Sequence, residues 1–208
     1  MKSIGRYSFP GVTVPVLIAA IAITVFLASP CHACVGRKLV LGSLEADRQA
    51  MVSRLLSILI NERTGTTIEV KYFSNRDELL RSVSKGKVDL YVDSVDSALG
   101  RMGKDPVSLS PDERFREVKR IFEEERNLIW LKPMGYTERD TAGNDLGLAA
   151  VVVGKETLKM FPALPRLLEK IGSRVPLDDA LLEKLVARGR LEKPSKVARD
   201  FLKEVKLI

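Results

Sequence analysis

Apolar positions along residues 38–92 alternate between two spacings, and each change of spacing marks a new element. "KLVLGS" (38–43) is a short apolar run leaving through Gly42 and Ser43, as a strand leaves a sheet. Met51, Leu55, Ile58 and Leu59 then recur every three or four residues, with Glu62 in register, which predicts a helix stopped by Gly65. "TTIEVKYF" (66–73) is rich in β-branched residues and reads as a second strand. Ser74 is expected to cap the helix "NRDELLRSVSKG", with Asp77 three residues on and Gly86 as its stop. "KVDLYV" (87–92) is the third strand. Strand, helix, strand, helix, strand at these short intervals predicts a parallel sheet with right-handed crossovers.

The second half continues the alternation with less regular spacing. "SPDERFREVKRIFEEERN" predicts a charged helix capped by Ser110, with Pro111 in its first turn and one apolar stripe of Phe115, Val118, Ile121 and Phe122. "LIWLKPM" reads as a fourth strand ended by Pro133, and "LGLAAVVVG", apolar throughout, as a fifth and central one. Between them "GYTERDTAGND" (135–145) reads as a polar, glycine-bearing loop that exposes Tyr136. Three helices are expected to close the chain, around "KETLKMFPALPRLLEKIG", "PLDDALLEKLVARG" and "KPSKVARDFLKEVKLI". No internal repeat or low-complexity linker interrupts them.

The first 33 residues stand apart from this pattern. Lys2 and Arg6 precede an apolar run from Val12 to Leu27, and small residues surround "ASPCHA". That layout predicts an export signal ending at Ala33, with an uncleaved membrane anchor as the alternative. Residues 34–208 then suffice for one domain with its own core, placed in the periplasm or at the outer cell face. Lys2 and Arg6 account for two of the formal +7 charges, and the remaining excess is spread over helices of alternating sign. Such faces are solvated, so nucleic acid is excluded as a partner. Both cysteines, Cys31 and Cys34, fall in "CHAC" at the signal's end. They read as a processing-site remnant, because a haem motif would place the histidine after the second cysteine.

Candidate chemistry gathers where strands meet helices, the usual ligand position in open α/β sheets. The residues are Ser43 and Glu45 after strand one, Ser74 and Asn75 after strand two, and Tyr91, Asp93, Ser94 and Asp96 at strand three, with Tyr136 from the later loop. Helix amides at these turns could receive an anion or a carboxylate. The competing reading is that Ser74, Ser94 and Asp96 only cap helices. Asp93 and Asp96 lack the further ligands a metal would need, so no metal and no cofactor is expected. The lone histidine, His32, lies in the signal. With no nucleophile elbow and no phosphate loop, the chain is not expected to be an enzyme.

Three stretches carry a family resemblance: "KLVLGSLEADRQAM" at the first strand and helix, "GKVDLYVDSVDSALG" at the third strand, and the closing helices from "FPALPRLLEKIG" through "SKVARDFLKEVKLI". They resemble the substrate-binding proteins of ABC importers for glycine betaine, choline, carnitine and related quaternary amines. The resemblance implies a periplasmic-binding-protein-like α/β lobe with a mostly parallel five-stranded sheet flanked by helices, and strand order 2-1-3 with two strands beyond. The sequence departs from the family twice. Only the short stretch before "LGLAAVVVG" stands where the family builds a second lobe, so a single lobe is expected. Where the family follows its acidic residue with Tyr-Thr-Gly-Thr, Asp93 is followed by Ser94, Val95, Asp96 and Ser97, and Ala46 stands where an aromatic is common. Most of the aromatics lie on apolar faces, so an intact cation–π cage is not expected.

The reading is an exported solute-binding protein of this family with a truncated second lobe. Its partners would be a small polar solute, a quaternary amine or amino-acid-like molecule, or an importer membrane subunit. The alternative is a non-transport accessory protein that binds another protein, or a second copy of itself, through an unusually apolar face exposed by the missing lobe.

Overall fold

A computed structural model describes residues 38–140, 142–175 and 177–208; the expected export segment and both cysteines lie outside the described residues. Strands β1 (Leu39–Leu44), β2 (Ile68–Phe73) and β3 (Leu90–Ser94) are joined by helices α1 (Asp47–Thr64) and α2 (Arg76–Ser84). β1 pairs in parallel with β2 along its whole length and with β3 at Leu41–Leu90 and Gly42–Tyr91. The chain therefore steps outward from β1 to β2, then back across β1 to β3. Crossovers of one hand taken in opposite directions leave their helices on opposite faces. α1 accordingly packs on one face through Val52, Leu55, Leu56 and Leu59, and α2 on the other through Leu79.

After β3 come α3 (Val95–Arg101), a short 3-10 turn, and α4 (Pro111–Arg126), all on the α2 face. Ser110 caps α4 as its spacing implies. Its hydroxyl accepts from Glu113 N–H while the Glu113 carboxylate accepts from the Ser110 backbone. β4 (Leu128–Arg139) and β5 (Asp145–Gly154) follow as an antiparallel hairpin, and β5 also pairs antiparallel with β3. The strand order is β2-β1-β3-β5-β4. Four strands run one way and β5 runs against them, inside the sheet as its unbroken apolar sequence implied.

Several expectations need correction. Pro133 does not end β4: it opposes Ala150, and the strand continues to Arg139. β4 lies at the sheet edge with shifted register on both sides of Pro133, where a missing N–H leaves no ladder bond unmade. Tyr136 is consequently a strand residue with no exposed surface, not a loop aromatic. The true turn is only the stretch after Asp140, whose carboxylate accepts from the N–H groups of Ala142 and Asn144. The helix starting at Lys155 breaks into α5 (Lys155–Met160), α6 (Leu164–Leu168) and the single turn α7 (Lys170–Ser173), with Pro162 between the first two, Pro165 in the first turn of α6 and the positive-φ Gly172 inside α7. α8 (Asp179–Leu191) and α9 (Pro194–Glu204) then pack with α1 over the first face. No helix among the described residues is long and apolar enough to cross a membrane.

At the strand starts, Asp89 ties three elements together. Its buried carboxylate accepts from the Val40 N–H at 2.8 Å and from the Thr157 hydroxyl at 3.1 Å, linking β1 and α5 to the entry of β3. Replacing it by alanine strands one buried and one part-buried donor, and hydrogen bonds to charged groups contribute about 1.5 to 3 kcal/mol each. Asp89→Ala should therefore lower unfolding stability by about 3 kcal/mol in urea titration; a loss below about 1 kcal/mol would contradict this role.

Candidate functional site

The carboxyl ends of β1, β3 and β4 meet the start of β5 along one rim, and this rim carries most of the buried polar groups. Side chains of β3 alternate between faces. Leu90 and Val92 join the α1 side of the core, and Tyr91 the α2 side. Asp93, two residues beyond Tyr91, shares its face and is completely buried. Its carboxylate is clamped by Arg76 from the first turn of α2 and Arg101 from the last turn of α3, and it also accepts from the Ser94 N–H at 2.9 Å. The second nitrogen of the Arg101 fork donates to the Ser97 hydroxyl at 2.6 Å.

On the α1 face a second arginine organises the rim. Arg48, in the first turn of α1, pairs with Asp179 and Glu183 of α8 and donates to the Thr137 carbonyl at 2.9 Å. Its guanidinium lies 5.5 Å from the centre of the Tyr136 ring. Burial alone would lower the Arg48 pKa, but hydrogen bonds and attraction from both carboxylates outweigh it and the net shift is upward. Next to it, Glu138 is 3 % exposed, and the Tyr136 hydroxyl donates to it at 3.4 Å. Burial raises the Glu138 pKa. The Gln49 amide, Arg76 and Arg48 pull it back, the amide without completing a hydrogen bond. Burial likewise pushes the Tyr136 phenol well above its ordinary value.

Each residue singled out in the sequence now has a position. Ser43 is buried in β1 and donates to the Leu44 carbonyl, and Glu45 is exposed at the strand exit. Ser74 is not the cap of α2; Asn75 is, accepting from Glu78 N–H, while the Ser74 hydroxyl donates to the Glu78 carboxylate. Asn75 wins because it sits one residue nearer the helix, with its amide oxygen three residues before Glu78. Asp93 and Ser94 extend β3 rather than forming a turn, and Ser94 precedes α3 without a capping bond from its side chain. Asp96, half-buried, pairs with Arg114 at 2.9 Å. Asp93 and Asp96 are thus held by different arginines. Among the described residues no group of three or more potential metal ligands converges.

The helix amides expected to meet an anion are not equally open. A Cβ on Gly147 would stand 2.8 Å from the Asp96 nitrogen, so the β5 backbone covers the start of α3. Asn75 occupies the start of α2. Of these three starts, α1 at Ala46 and α3 at Ser94 lack a side-chain cap, and only the α3 start is covered by β5. Near the α1 start lie three buried polar atoms with no partner among the described residues: Arg48 Nε, Gln49 Nε2 and Ser94 Oγ. Across the rim a hollow of about 330 Å³ is lined by Asp96, Arg114, Phe115, Thr137 and Leu148, among others. Sequence reading named Ser94 but missed Gln49, Arg76, Arg101 and Glu138. Glu138 had a signal, since Met134, Tyr136 and Glu138 are buried alternately with the outward Gly135 and Arg139. The arginines had none, because 34 Lys and Arg residues are scattered along the chain.

A family model for the substrate binding domain of the ABC-type glycine betaine transport system matches residues 37–143. The chain belongs to that family. Solved structures agree on the fold. The chain superposes on a glycine betaine/carnitine/choline ABC transporter structure with a TM-score of 0.69 at 13 % identity, covering 83 % of this chain and 99 % of that one. It matches apo YehZ from Escherichia coli equally well, with a TM-score of 0.69 at 14 % identity over 83 % and 100 % of the two chains. Lactococcal OpuAC, in its closed conformation with glycine betaine, gives a TM-score of 0.54 at 9 % identity over 82 % and 97 %. In this substrate-binding family member, the acidic residue at the end of β3 is already neutralised from inside the protein.

Two measurements probe the rim. Asp93→Asn leaves two guanidiniums without their carboxylate and should cost about 3 kcal/mol in denaturant unfolding. This is the low end for breaking a buried pair, because both arginines keep some water contact. An unchanged midpoint would show that the clamp contributes nothing. Glu138 binds its proton more tightly folded than unfolded, so it erodes stability as pH rises above the ordinary glutamate value of about 4.3. The stability of Glu138→Gln relative to the parent should therefore increase with pH across that window; a pH-independent difference would refute the assignment.

Proposed function

We propose that the chain is an exported, one-lobed solute receptor of the glycine betaine importer type, and that it holds its ligand by a carboxylate rather than by an aromatic cage. The observation that carries this reading is the pair of unpartnered buried groups, Ser94 Oγ and Arg48 Nε, beside the uncapped start of α1, with the Gln49 amide nearby facing Glu138. Both can donate hydrogen bonds. A buried donor left unpaired costs about 1 to 3 kcal/mol, and a bound carboxylate supplies the missing acceptors with help from the helix amides. Nothing comparable awaits a quaternary ammonium. Tyr91 and Tyr136 are buried under the sheet faces, and the Asp93 charge is matched by Arg76 and Arg101.

In this reading Ser94 is the sequence candidate that contacts ligand, with Gln49 and the Arg48–Arg76 neighbourhood added to it. Ser43, Asp93, Tyr91 and Tyr136 support the rim from below, and Glu45, Ser74, Asn75 and Asp96 border it. The ligand is a small zwitterion such as a betaine or an amino acid, delivered to an importer membrane subunit from the periplasmic side. The accessory alternative needs an apolar face over the strand ends. Of the large hydrophobic side chains exposed among the described residues, Leu148 lies on this rim, and Tyr72 near it is overlaid by the Arg54 guanidinium at 5.9 Å. The rim is otherwise charged, which favours solute over protein.

A thermal-shift series tests the reading. At a hundredfold excess over Kd, a ligand adds about 2.7 kcal/mol, or about 5 to 10 °C for a domain of this size. At least one of glycine betaine, carnitine and proline should raise the melting temperature, and choline, which lacks a carboxylate, should not. A choline shift matching that of glycine betaine would overturn the carboxylate assignment. No shift with any of them, alongside a stable dimer by light scattering, would favour the accessory role.

A further inference from the structure

The helices on the α2 face do not close fully over the sheet. Between α2, the end of α3 and the last turn of α4 lies a cavity of about 330 Å³, within the range of roughly 300 to 1,000 Å³ typical of small-molecule sites. Its wall includes Tyr91, the second residue of β3, and Leu128, the first of β4, so it opens toward the strand starts and away from the rim. Leu80, Val83, Met102 and Phe122 give the wall one apolar side, and polar groups form the rest.

Three groups give it chemistry. Tyr91 is 1 % exposed, and its hydroxyl has no hydrogen-bond partner among the described residues. Burial, and then the Asp93 charge, push its phenol far above the ordinary value, so it stays a proton donor, while Arg101 and Arg126 act on it in the opposite sense. Arg101 holds Asp93 and Ser97 and still forms part of the wall. Arg126, on the exposed side, lies 5.3 Å from the centre of the Phe122 ring. A buried donor beside two guanidiniums calls for an anionic acceptor, and the apolar side calls for a compact hydrocarbon body attached to it.

We infer that this flank cavity binds a small amphipathic carboxylate, its hydrocarbon part against Leu80, Val83, Met102 and Phe122 and its carboxylate between the Tyr91 hydroxyl and Arg126. The inference is independent of the rim reading, since the two places lie toward opposite ends of β3. Glu125, also on the wall, opposes a second negative charge and so favours monocarboxylates over dicarboxylates.

Titration calorimetry with benzoate as the probe tests it. Benzoate should bind saturably to the chain, and benzyl alcohol, with a similar body and no charge, at least about tenfold more weakly. Tyr91→Phe should weaken benzoate about tenfold while melting no lower than the parent, because it deletes a hydroxyl that has no partner. Arg126→Gln, at an exposed position, should weaken benzoate similarly and keeps the test open if the Tyr91 variant fails to fold. Excess glycine betaine should leave benzoate affinity unchanged. No saturable benzoate binding, equal affinity for benzyl alcohol, or full affinity in both variants would overturn the inference; competition by glycine betaine would move the carboxylate site to the rim.

Discussion

A carboxylate with no exposed surface is too costly to keep charged unless the protein neutralises it, and Asp93 fixes the layout of the strand ends for that reason. Its partners come from the first turn of α2 and the last turn of α3, so one side chain on β3 sets the position of both flanking helices. The same clamp decides what chemistry remains for a ligand. A free aspartate at this point would attract a cation. One held between two guanidiniums offers none of its charge, and the adjoining surface is left with donors rather than acceptors. With Asp93 matched in this way, its charge is not free to attract a cation at this end of the sheet.

The second arginine cluster does the matching work on the other face. Arg48 joins α1 to α8 through Asp179 and Glu183, lies over Tyr136 and reaches the β4 backbone at Thr137. Arg76 links the two clusters electrostatically, since its charge acts on Asp93, Tyr91, Tyr136 and Glu138. The rim is thus a layer of charges paired within the protein and supported from below by buried tyrosines. That arrangement leaves this end of the sheet polar, with its charges matched within the protein. Charges that neutralise one another in place need no covering partner.

What could be read from the sequence follows from the range of each interaction. Gly65 as a helix stop, Ser110–Pro111 as a helix start and the unbroken apolar run of β5 are local signals, and each holds in the structure. The strand order that the family resemblance implied held as well. The failures came where a local signal met a tertiary override. Pro133 reads as a strand end, yet an edge strand tolerates it; Gly135, Asp140 and Asn144 read as one long loop, yet the turn uses only Asp140 to Asn144. The site was the least legible part. Arg76 and Arg101 lie 17 and 8 residues from Asp93 in sequence, and nothing in a chain rich in solvated arginines distinguishes two that turn inward.

Arg101 shows how closely the two polar regions of this lobe are joined. One nitrogen of its guanidinium closes the clamp on Asp93, another holds Ser97 within α3, and the same side chain forms part of the flank cavity. Tyr91 and Asp93 stand two residues apart on one face of β3, which puts the cavity wall and the rim on a single rigid strand. A molecule in the cavity meets an Arg101 already held by Asp93 and Ser97, so its charge falls to Arg126 and the clamp stays closed. Because β3 is paired on both sides, by β1 and β5, it holds the cavity wall and the rim at a fixed separation. Through Arg101, the seven residues of α3 are the element on which both regions depend.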